Sequence, residues 1–62
     1  MSDFDIQREI GQLLEYAHHS TATREQYLSQ ATSLAYQIRD YSVQYQNLDL
    51  IRRTRESLEQ RW

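Results

Sequence analysis

His18, His19 and Glu15 are the residues best placed to hold a metal ion, since Glu15 and His19 stand four apart and share one face of a helix. The two histidines are adjacent, so on a helix they point about 100° apart and make a poor ligand pair. Their alternative role is electrostatic, two imidazoles at the negative end of a helix dipole. We therefore assign no metal and no cofactor. The second cluster is "RRTR", residues 52 to 55, which has the chemistry to bind phosphate. Residues 47 to 62 carry four Arg but also Asp49, Glu56 and Glu59, so the cluster reads as a self-paired, solvated face. Catalysis finds no support. There is no Cys nucleophile, no Gly-rich phosphate loop and no zincin-type His/Glu motif. The expectation is a non-enzymatic protein with no small-molecule substrate.

Such surfaces need elements to carry them, and 62 residues allow one domain. A chain this short buries little surface and is marginal alone. Without Cys it has no disulfide or thiolate metal site to prop it up. With 39% apolar residues the core is thin, which favours support from a partner subunit. The net charge of −2 argues against a general polyanion binder. No apolar run nears the roughly 20 residues of a membrane span, and the acidic start does not look like a signal peptide. These features point to the cytoplasm and away from membranes.

The periodicity is helical throughout. Ser2 caps a first helix over about residues 3–18, with Asp3 and Asp5 suiting its positive end. Ile6, Ile10, Leu13 and Ala17 form its stripe, widened by Leu14. Gly11 lies off that stripe and weakens the helix by about 1 kcal/mol relative to Ala. "HHSTAT" breaks the pattern at a turn near 19–22, where Thr23 and Gln26 match a capping box. Beyond it Tyr27, Ala31, Leu34, Ile38, Tyr41, Tyr45 and Leu48 keep heptad spacing over three repeats. The expected fold class is all-α: a helical hairpin with a short first helix and one long second helix, about 22–61, that self-associates into a bundle or coiled coil. The alternative is a three-helix bundle with a break near 40–47, where Asp40, Ser42 and Asn47 are capping residue types.

The end of the chain does not follow the seam. Ile51, Leu58 and Trp62 lie roughly 120° from the Tyr27–Tyr45 direction on a helical wheel, with Leu48 between. In the hairpin, a second helix of about 60 Å outruns a first of about 24 Å and leaves its far half uncovered. That predicts helix-face docking to another protein, a second copy (a dimer being favoured) or both. Tyr36, Tyr41, Tyr45, Leu48, Ile51, Arg55, Leu58 and Trp62 are the candidate contact residues, being the Tyr, Trp, Arg and apolar residues of that half. A small nucleic-acid-binding regulator using Arg52, Arg53 and Arg55 is a second expectation, though nucleic acid is disfavoured by the neighbouring acids. A structural subunit or co-chaperone of a larger assembly is a third.

Overall fold

The computed structural model describes residues 2–60 and contains three helices, with no strand among them. Helix α1 is Asp3–His19, α2 is Arg24–Ala35 and α3 is Tyr41–Glu59. Ser2 caps α1: its hydroxyl accepts from the Asp5 amide at 3.2 Å and donates to the Asp5 carboxylate at 3.0 Å. At the first turn the expected capping box does not form. The Thr23 hydroxyl instead pairs with Ser20 at 2.6 Å. Arg24 reaches back, its Nε donating to the Ala17 carbonyl at 2.9 Å, which satisfies an open carbonyl at the end of α1.

Neither the short first helix nor the single long second helix forms: α1 has 17 residues and α2 has 12, and the chain takes the alternative of three helices. It breaks at residues 36–40, without Gly or Pro and without a positive φ among the described residues. The physical reason is a set of local substitutes for helical hydrogen bonds. Gln37 and Ile38 donate to the Leu34 and Ala35 carbonyls at 2.9 and 3.1 Å, tightening the last turn of α2. Asp40 then caps α3, its Oδ1 accepting from the Ser42 and Val43 amides at 2.9 and 3.2 Å. The Asp3 carboxylate accepts from the Arg39 and Asp40 amides at 3.1 and 3.3 Å, so the start of α1 holds the turn shut. Gln44 donates to the Tyr36 and Ile38 carbonyls, both at 3.3 Å, from the α3 side. Ile38 itself plugs into the core at the corner.

Asp40→Ala removes both accepted amides, and we expect a loss of about 1 kcal/mol. A urea titration should show a lower midpoint with an unchanged slope.

The core runs between all three helices. Ile6, Ile10, Leu14 and Ala17 come from α1, Leu28, Ala31 and Ala35 from α2, Ile38 from the turn, and Ile51 and Leu58 from α3. Leu13, Tyr27, Leu34, Val43 and Leu48 pack at its edge. The face that α3 turns inward is Val43, Asn47, Ile51, Thr54 and Leu58, at spacings of 4, 4, 3 and 4. Asn47 is buried and its Nδ2 donates to the Val43 carbonyl at 2.8 Å, so a polar residue occupies a core position without an orphaned donor. The Cα radius of gyration is 11.3 Å. No described helix is long and apolar enough to cross a membrane.

Candidate functional site

The break redistributes the candidate contact residues. Ile51 and Leu58, expected on an exposed docking face, are each 4% exposed and belong to the core. They face away from the Tyr41/Tyr45 direction because α3 packs on a stripe of its own. Leu48 is partly buried against the same core. Trp62 lies outside the described residues. Tyr36, Tyr41 and Tyr45 go the other way: they are 65%, 75% and 67% exposed, and Phe4 is 69% exposed. Tyr41 and Tyr45 thus leave the seam to which their spacing assigned them. Their rings stack at 6.1 Å between centroids.

These four aromatics gather at one end of the bundle. Tyr36 closes α2, Tyr41 opens α3, and Phe4 lies in the first turn of α1. The Asp3 bonds to Arg39 and Asp40 hold those three chain segments side by side. Phe4 was not among the expected contacts, because those were drawn from the later half of the chain; its exposure follows from its place off the Ile6/Ile10 stripe of α1. Arg8 sits over the Phe4 ring at 5.9 Å from its centroid, a cation–π contact that holds a guanidinium beside the apolar surface. Arg8 is also 4.0 Å from the Asp5 carboxylate, at the limit of an ion pair. Arg39, in the turn between Tyr36 and Tyr41, forms no ion pair among the described residues. Two guanidiniums thus rim the aromatic end. At the opposite end Tyr16 and Tyr27 make a tilted ring pair at 5.5 Å, spanning α1 and α2.

The basic cluster of α3 is internally neutralised. Arg52 bonds Asp49 at 2.7 Å and Glu56 at 2.8 Å, and Arg53 bonds Asp49 at 2.9 Å. Arg55 donates to both oxygens of Glu25 at 2.8 and 2.7 Å, tying α3 to α2. The hydrogen bond from Arg52, aided by the nearby Arg53 and Arg52 charges, holds the Asp49 carboxyl below its usual value of 3.8. Its contribution to stability is present above that usual value and fades as pH falls through the lower, folded-state value. Both partners are exposed, so the effect on stability is small and salt-screened. Arg52→Gln should return the Asp49 carboxyl toward its usual titration, followed by side-chain carboxyl NMR. An unmoved titration would remove Arg52 as the cause.

Glu15, His18 and His19 meet α3 across a groove of about 720 Å³ between α1 and α3, whose walls also carry Gly11, Leu14 and Leu50. Among the described residues no three His, Cys, Asp or Glu side chains converge as a metal site would require. No protein-family model matches the chain, and no curated protein and no solved structure matches it.

Proposed function

We propose that this chain is a non-enzymatic protein-binding module that docks through its aromatic end, with Tyr36, Tyr41, Tyr45 and Phe4 as the apolar anchors. The observation that carries the reading is the exposure of four large aromatics on three segments brought together at one end. Tyr and Arg dominate binding hot spots, because a rigid amphipathic ring buries area at little entropic cost. Surface aromatics scattered singly need no explanation, but here Tyr41 and Tyr45 stack on each other, and Tyr36 and Phe4 stand on the neighbouring segments of the same end. The anchors call for a partner that offers apolar side chains; Arg8 and Arg39 are balanced at this end by Asp3, Asp5 and Asp40. The reading as a nucleic-acid regulator draws less support, since Arg52, Arg53 and Arg55 already face carboxylates.

The test is position-resolved photocrosslinking in the source cell. A photoreactive phenylalanine at Tyr41, and separately at Tyr45, should yield the same discrete protein adduct. The same group at Gln30, on an exposed face of α2, should yield none. No adduct from either tyrosine, or equal adducts from Gln30, would overturn the reading.

A further inference from the structure

We infer that the groove between α1 and α3 receives a second copy of this chain, with Leu50 of each copy seated over Gly11 of the other. Nothing within the chain accounts for Gly11. It lies in the interior of α1, where Gly costs about 1 kcal/mol relative to Ala. Its φ is not positive, so no special backbone conformation calls for it. A Cβ placed there would meet nothing within 4 Å, so the fold's own packing does not call for it either. The missing side chain leaves a hole in one wall of the groove. On the opposite wall stands Leu50, a large apolar side chain 48% exposed.

Hole and knob on two walls of one groove are self-complementary under a two-fold axis. The helices run up, back and up, so α1 and α3 are roughly parallel. An axis lying in the interface along the groove carries α3 of one copy onto α1 of the other at the same height. That places Leu50 over Gly11 twice, the reciprocal contact of an isologous dimer. The same operation brings charges together with the right sign. Glu15 lies one turn beyond Gly11 on α1, and Arg53 lies one turn beyond Leu50 on α3. Glu15 of one copy therefore approaches Arg53 of the second copy, which otherwise faces only Asp49. The size of the face sets the strength. Two helices about 25 Å long and together about 20 Å wide present roughly 500 Å² per copy, or about 1,000 Å² in all. That is the lower limit of specific interfaces, so the dimer is weak and reversible.

The proposal rests on Gly11 and Leu50 rather than on the tyrosines of the aromatic end, although Phe4, one heptad before Gly11, lies on the same face of α1. Sedimentation equilibrium of the full chain, from roughly 10 μM to 1 mM, brackets the weak range. The mass should rise from 7.5 kDa toward twice that value. Leu50→Glu should raise the dissociation constant at least about tenfold while circular dichroism shows unchanged helicity. A second measurement stands apart from that variant's folding. The chain has no cysteine, so single-cysteine variants give clean disulfides. On mild oxidation the Gly11→Cys chain should link to the Leu50→Cys chain faster than either links to a Gln26→Cys control. A mass fixed at 7.5 kDa throughout, a folded Leu50→Glu that dimerises like the parent, or linkage no faster than the control would overturn the proposal.

Discussion

Replacing Ile10 with Ala should remove a large share of the chain's stability. Ile10 is completely shielded from solvent and sits in the middle of α1, at the centre of the core. Truncating a buried Ile to Ala costs about 2–5 kcal/mol, the transfer free energy of the lost methyl groups plus the cavity left behind. A chain of this length has only about 3–9 kcal/mol of stability in total. The core has ten buried apolar residues, three of them alanines, so neighbours have little freedom to collapse into the gap. Thermal unfolding by circular dichroism measures it: the midpoint should fall by at least about 10 °C, given some 4–8 °C per kcal/mol for small domains. A midpoint within about 2 °C of the parent would mean that Ile10 is not a central core residue.

The double substitution Tyr41→Ala and Tyr45→Ala should have the reverse profile. Both side chains are mostly in water, so the unfolding midpoint should barely move, apart from the modest loss of one ring–ring contact. Affinity for the protein crosslinked from Tyr41 should fall about 100-fold, two hot-spot residues being lost together. Titration calorimetry with the purified partner reads this directly. A loss in affinity matched by a loss in stability would assign the tyrosines to the fold rather than to recognition.

The contrast between these two variants follows from a feature that was only half legible in the sequence. The stripe of α1 was readable because Ile6, Ile10, Leu13 and Ala17 repeat at helical spacing, although Leu14 and not Leu13 is the buried leucine between Ile10 and Ala17. The cap at Ser2 was readable for the same local reason. The α2–α3 break was legible only as the alternative, placed near 40–47 rather than at 36–40, because Tyr41, Tyr45 and Leu48 prolong the heptad rhythm of α2 straight through it. Asp40 was visible as a capping residue type, but its effect depends on the Asp3 carboxylate binding the same turn from 37 residues away. The true inner face of α3 was masked by Asn47 and Thr54, polar residues that a hydrophobic pattern skips. Once those two are admitted, Val43, Ile51 and Leu58 fall into line and the apparent 120° rotation of the tail disappears as an anomaly. It was the change of partner face between two separate helices. The surface consequence reversed accordingly: apolar residues assigned to docking went inside, and tyrosines assigned to a seam came out.

The aromatic end and the α1–α3 groove both exist only if α2 and α3 fold back on each other, and one distance decides it. Spin labels at Gln26 and Ser57 sit on exposed sites near the start of α2 and the end of α3. Close to them, the Arg55–Glu25 pair joins the two helices at 2.7 Å. Dilute, doubly labelled chain mixed with unlabelled chain restricts the signal to distances within one molecule. The expected result is a single distribution near roughly 20 Å, one interhelical spacing plus the label arms. A distribution centred near about 46 Å, the length of 31 helical residues, would show a continuous helix and contradict the account.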